Sequence, residues 1–157
     1  MIRGYDQYHS LPPEAEGHFQ WPAALKAGLA VGALFLLFAR GNPWAGLTGS
    51  TPVVMGRIMP LDLGLPLMLV WLIHLALSAA YAFIIGLFVM RLSKWRAILT
   101  GGAVGIGLYA INRIIVHFFL PELEGNEAGV LFTHIVFGLV AAGAYRGLLR
   151  RQAPATG

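Results

Sequence analysis

Long apolar runs broken by short polar or charged stretches give this chain its pattern. Four runs stand out, at about residues 22–39, 66–90, 97–120 and 128–148. Each approaches the roughly 20 mostly apolar residues that cross about 30 Å of hydrocarbon. The pattern therefore predicts an all-α integral membrane protein with four transmembrane helices. Pro22 and Pro66 suit a first helical turn, where the missing N–H costs nothing, and Pro121 stops the third run. Trp21, Trp44 and Trp95 fall near the predicted boundaries, where aromatic belts sit.

The stretches between the runs differ in kind. Residues 92–96 are short and basic, and residues 121–127 are short and acidic. The connection from Gly41 to Leu65 is long and only half polar. Within it, Ser50-Thr51-Pro52 reads as a helix start, which predicts a short interfacial helix at Val53–Met59 on the outer surface. A loop packed over the bundle is the other reading. A polar N-terminal tail (1–21) and a basic C-terminal tail (149–157) complete the chain. The first 20 residues are polar and carry Pro12-Pro13, unlike the apolar core of a cleavable signal.

The apolar runs also show an internal likeness. Gly28-Leu-Ala-Val-Gly32 precedes Arg40 by the same spacing that separates Gly101-Gly-Ala-Val-Gly105 from Arg113. A second run with one histidine follows each, His74 in one and His134 in the other. The pattern predicts two helical hairpins in tandem, with the same orientation. Chance likeness is the alternative, because glycine, alanine and valine are common in spans. Gly28/Gly32 and Gly101/Gly105 form Gly-x-x-x-Gly pairs, which let helix backbones approach closely in lipid. They predict that the first and third spans pair tightly.

Composition agrees with lipid as the solvent. The chain has 157 residues, 57% apolar and only 11% charged, against about 25% charged in soluble domains. Zero cysteines exclude disulfides, thiolate metal sites and cysteine nucleophiles. The net charge of +4 is explained by where the cations fall, without nucleic acid as a partner. With four spans, Arg3, Lys26, Arg91, Lys94, Arg96, Arg146, Arg150 and Arg151 share the side of both termini. Arg40, Arg57 and Arg113 belong to the other side, with Asp62, Glu122, Glu124 and Glu127. This bias predicts that both termini are cytoplasmic.

Ionisable groups at depth are costly, so they are the first functional candidates. By helical rise, His74 lies roughly 12 Å from the outer end of its span, and His134 roughly 9 Å. Arg113 lies roughly 12 Å in on the same side. Tyr109, Arg113 and His117 share one face of the third span, with Asn112 beside them. His74, Ser78 and Tyr81 form a stripe on the second span. The outer half of the bundle is thus predicted to have a polar interior and the inner half a dry one.

Three readings of this cluster compete. It is structural, with polar groups bonding across helices. Or His74 and His134 ligate a haem b iron, with Arg113 or Arg40 near the propionates. Or the cluster binds a quinone headgroup, a lipid phosphate or another small ligand. Several chemistries lack their parts. No Asp or Glu lies inside a span, which removes a carboxylate relay. His74 and Ser78 lack an acid to orient the imidazole. Helical zinc ligation and a phosphate loop lack their spacing.

Asn42-Pro43-Trp44, Asp62-Leu-Gly64, His74-x-x-x-Ser78-x-x-Tyr81, Gly107-x-Tyr109-x-x-Asn112, His134-x-x-Phe137-Gly138 and Ala144-Tyr145-Arg146 carry a resemblance. The stretch from Gly41 to Gly147 resembles small four-span bacterial inner-membrane proteins of unassigned function. Some of those carry an automatic "sodium:proline symporter" label. Arg113 departs from the resemblance, which has an apolar aromatic there. The resemblance implies a bacterial inner membrane and no activity.

These readings predict a non-catalytic small subunit or accessory factor of a larger membrane complex, respiratory or photosynthetic. Its partners are the lipid bilayer and other membrane subunits, and the tail 1–20, with Tyr5, Tyr8 and His9, is a candidate docking strap. The rivals are an electron carrier using haem b or quinone at His74 and His134, and a small transporter acting as an oligomer.

Overall fold

The computed structural model describes residues 18–38, 67–119 and 127–151. Over these residues the chain forms four α-helices: α1 (Trp21–Phe38), α2 (Leu67–Val89), α3 (Lys94–Phe119) and α4 (Glu127–Arg151). All four coincide with the apolar runs. Residues 1–17 and 152–157 of the two tails, the proposed interfacial helix at Val53–Met59, and Arg40, Arg57, Asp62, Glu122 and Glu124 lie outside the described residues, while Trp21 and residues 149–151, assigned to the tails in the sequence, belong to α1 and α4.

The helix ends have local causes. The Gln20 carbonyl accepts from the N–H groups of Ala23 and Ala24 and opens α1. Helix α3 begins three residues before the apolar run, because the Ser93 carbonyl accepts from the Ala97 N–H (2.8 Å). Glu127 sits in the first turn of α4, where a carboxylate complements the helix dipole.

Three helical segments are long and apolar enough to cross a membrane: Trp71–Val89, Lys94–Phe119 and Glu127–Leu149. Helix α1 is equally apolar but spans 18 described residues, about 27 Å at the helical rise.

Each helix packs most closely on its sequence neighbour, α1 on α2 and α3 on α4. Further contacts join α1 to α4, α2 to α3, and α2 to α4 across the centre. Helices α1 and α3 take opposite corners. The predicted pairing of the first and third spans is therefore incorrect. The glycines do mark close approach, but inside each hairpin. A Cβ on Gly28 would stand 2.7 Å from the Ser78 carbonyl oxygen, and one on Gly32 2.7 Å from the Ser78 side chain. A Cβ on Gly101 would collide with the Gly138 carbonyl, and one on Gly105 with the His134 carbonyl. A Gly-x-x-x-Gly spacing fixes a flat helix face but not the helix that meets it. Chain connection decides that, since consecutive elements tend to be neighbours in space.

Side-chain size is partitioned inside out. The fully buried positions are dominated by small residues: Ala23, Ala24, Ala27, Ala97 and Ala142. Large apolar side chains face outward, among them Leu99, Phe118, Phe119, Phe132 and Met68, each at least 66% exposed.

Candidate functional site

One hydrogen-bonded chain runs through three helices. Tyr81 on α2 donates from Oη to Asn112 Oδ1 on α3 (2.5 Å). Asn112 Nδ2 donates to His134 Nε2 on α4 (2.7 Å). His134 Nδ1 donates to the Val130 carbonyl one turn earlier (2.8 Å). These bonds fix the proton positions mutually. A carbonyl only accepts, so the His134 proton sits on Nδ1 and Nε2 offers a lone pair. The amide nitrogen must then face Nε2, which turns Oδ1 toward the Tyr81 hydroxyl. The rings of Tyr81 and Tyr109 flank the imidazole, with centroids 6.0 and 5.9 Å away.

His74 faces a different partner. Its Nε2 donates to the Gly32 carbonyl on α1 (3.0 Å). Gly32 lacks a side chain, so α2 comes close enough for this bond. Ser78, one turn on, is buried in the same contact. The two histidines thus hold opposite tautomers and brace different helices.

Arg113 is directed to the end of the bundle. Its Nη2 pairs with Glu127 Oε1 at the start of α4 (2.6 Å). The two side chains are 29% and 55% exposed. His117 is exposed and stacks edge-on against Phe118. Of the predicted polar cluster, the structure joins Tyr81, Asn112, His134 and Tyr109. It sends Arg113 to Glu127, Ser78 and His74 to the α1 contact, and His117 outward.

The predicted dry inner half is also corrected. Arg146 on α4, grouped with the solvated cations in the sequence, is only 5% exposed. Its Nη1 donates to the Met90 carbonyl just past the end of α2 (3.0 Å). A cation suits a helix C-terminus, where unpaired carbonyls concentrate partial negative charge. Beside it, Tyr145 Oη accepts from the Gln20 N–H at the entry to α1 (3.3 Å). Phe19 packs against Phe83 and Tyr145 in a gap that Gly86 leaves open. In the sequence, residues 144–146 had signalled the resemblance, and Arg146 the charge bias. Their role was hidden because it depends on α4 facing the end of α2, which spacing along the chain does not give.

Replacing Arg146 with leucine is therefore expected to cost more stability than Arg113→Leu. The first removes a buried cation from a partly buried carbonyl at a helix end, at about 1–3 kcal/mol. The second breaks a pair shared with water, at about 1 kcal/mol or less. Unfolding midpoints of the two variants in one detergent test the order, and a larger loss for Arg113→Leu contradicts it.

The geometry does not fit a haem iron held by His74 and His134. An axial imidazole needs a nitrogen lone pair aimed at the metal. At His134 that lone pair receives the Asn112 amide, and two tyrosine rings crowd the imidazole. At His74 the Nε2 proton is directed into α1, which leaves only Nδ1 with a lone pair, so the paired arrangement fails at His134. A quinone carbonyl would compete for the same donors. Among the described residues, no group of three or more His, Asp or Glu side chains is placed to hold a metal ion.

Comparison with protein-family models, with curated proteins and with solved structures yields no match.

Proposed function

We propose that the chain is a non-catalytic integral-membrane component, a small subunit or accessory factor of a larger bacterial inner-membrane complex. The observation that carries this reading is the commitment of its deep polar side chains to one another. Tyr81, Asn112 and His134 join α2, α3 and α4, and His74 joins α2 to α1. Polar groups placed this way hold helices in register where lipid offers no hydrogen bonds. The inside-out partition of side chains supports the membrane setting. Small residues pack the interior, while leucine and phenylalanine cover the outside, a surface that water would drive into association.

The two hairpins are copies of one unit in this reading. Gly28 meets the Ser78 carbonyl and Ala82, and Gly101 meets the Gly138 carbonyl and Ala142. Ser78 and Ala82 follow His74 by four and eight residues, as Gly138 and Ala142 follow His134. Equivalent glycines thus meet equivalent positions in both hairpins. Both termini are cytoplasmic, on the side of Arg91, Lys94 and Arg96.

Purification from native membranes without overexpression tests the proposal. The expected product is colourless and carries other membrane subunits in fixed ratio. A Soret band that disappears in His74→Ala and His134→Ala would replace this reading with an electron carrier. Isolation as a self-contained oligomer that moves solute across proteoliposomes would replace it with a transporter.

A further inference from the structure

We propose that the end of the bundle around the α2–α3 turn is a binding surface for anionic glycerophospholipid headgroups. The proposal rests on the membrane setting argued above and assigns the leaflet chemistry at that end.

Four exposed cations crown this end: Lys26 on α1, Arg91 in the turn, and Lys94 and Arg96 at the start of α3. Three cluster at the α2–α3 turn and the start of α3, and Lys26 comes from α1 at the opposite corner. Among the described residues the acid is Glu127, at the opposite end and paired with Arg113. Positive potential at this end therefore has no described carboxylate beside it.

Trp21 and Trp95 stand at the same end, 59% and 71% exposed. An indole prefers the headgroup level, where its ring meets acyl chains and its N–H meets water. The Lys94 ammonium lies 5.7 Å from the Trp95 ring centroid, so charge and ring share one level. Lys26 lies five residues inside the start of α1, and its long stem lets the ammonium reach up to the same level. Arg146 belongs to another function, since its guanidinium is buried on the Met90 carbonyl.

This combination selects a partner by charge. Zwitterionic headgroups present a phosphate offset by their own ammonium. Anionic headgroups present an uncompensated charge, to which each basic residue near the surface adds attraction. An indole at headgroup level also keeps company with the acyl chains, so a lipid satisfies both halves of the surface at once.

Brominated lipids provide the test, because bromine on the acyl chains quenches nearby tryptophan. The probe protein is the full chain with Trp95 kept and Trp21, Trp44 and Trp71 changed to phenylalanine. It is reconstituted in vesicles containing either brominated phosphatidylglycerol or brominated phosphatidylcholine in a mixture of the two. The expected result is several-fold enrichment of phosphatidylglycerol at Trp95, with roughly fivefold per basic residue as the ceiling. The preference falls as salt shortens the Debye length from about 8 Å to about 3 Å. It is lost when Lys26, Arg91, Lys94 and Arg96 are all changed to glutamine. A probe keeping only Trp71, near the other end, shows no such preference.

Equal quenching of Trp95 by both lipids overturns the proposal while leaving the membrane setting intact. Quenching by neither lipid, at Trp95 and at Trp71, overturns the membrane setting itself. The unsubstituted chain gives a second measurement independent of the tryptophan changes. Its melting temperature in detergent rises more with added phosphatidylglycerol than with phosphatidylcholine, and equal shifts count against the surface.

Discussion

Replacing Gly138 with leucine is expected to prevent α3 and α4 from packing, the largest loss foreseen for one substitution in this chain. A Cβ at Gly138 would collide with the Gly101 carbonyl, and the next nearest atom beyond that group is the Gly105 Cα. All of these are backbone atoms of a helix, so no side chain can turn aside. Gly101 and Gly105 face back onto the Gly138 and His134 carbonyls in the same way. Relief requires moving the helices apart, which opens the contacts of Ala97 and Ala142 as well. Overpacking a yielding core costs about 1–3 kcal/mol, and an unyielding backbone contact belongs at or above the top of that range. Even Gly138→Ala should destabilise, although alanine is the better helix former by about 1 kcal/mol.

Gly107 supplies the control on the same pair of helices. A Cβ there meets nothing within 4 Å, so only the helix preference remains. Gly107→Ala should match or slightly exceed the parent in stability. Unfolding in detergent, followed by circular dichroism and gel filtration, reads both variants. If Gly138→Ala and Gly107→Ala unfold together, the close approach of α3 and α4 is absent from the folded protein.

The helices were legible in the sequence because their signal is one-dimensional. Apolar runs and prolines gave their positions to within one residue at six of the eight ends; the start of α3 and the end of α4 each lie three residues out. At Ser93 the reason is local. A cap lying among basic residues looks like loop until the helix is seen to start there. The bonding partners of polar side chains were not legible in the same way. Tyr81, Asn112 and His134 each stood out as costly in a span, but their bonds depend on how three helices rotate relative to one another. Arg113 and Arg146 show the same limit in opposite directions. Distance from a span end suggested that Arg113 is deep and Arg146 solvated. Packing buries Arg146 because it faces the end of α2, whereas Arg113 reaches the rim through Glu127. A residue's depth can be counted along a helix, but the side it faces cannot.

Asn112→Leu is expected to produce the second-largest loss, by separating the two hairpins. Asn112 is the middle member of the polar chain, so its removal leaves both the Tyr81 hydroxyl and His134 Nε2 without their bond. Tyr81 belongs to the first hairpin, and Asn112 and His134 to the second. The amide is therefore a specific tie between the halves near His134, beside the Arg146–Met90 and Tyr145–Gln20 bonds that join them at the other end. Each stranded buried group costs about 1–3 kcal/mol in water-soluble proteins. Interhelical bonds in lipid average about 0.6 and reach about 1.7 kcal/mol. Two such bonds, half-buried, place the loss at about 1–3 kcal/mol. Tyr81→Phe should cost less, because it breaks one bond and removes the hydroxyl that would otherwise be stranded. The decisive measurement is the double-mutant cycle. In the Asn112→Leu background, Tyr81→Phe should cost nearly nothing, which gives a coupling of about 1 kcal/mol. Additive losses would mean that Tyr81 and Asn112 do not share a bond, and that this polar chain does not join the two hairpins.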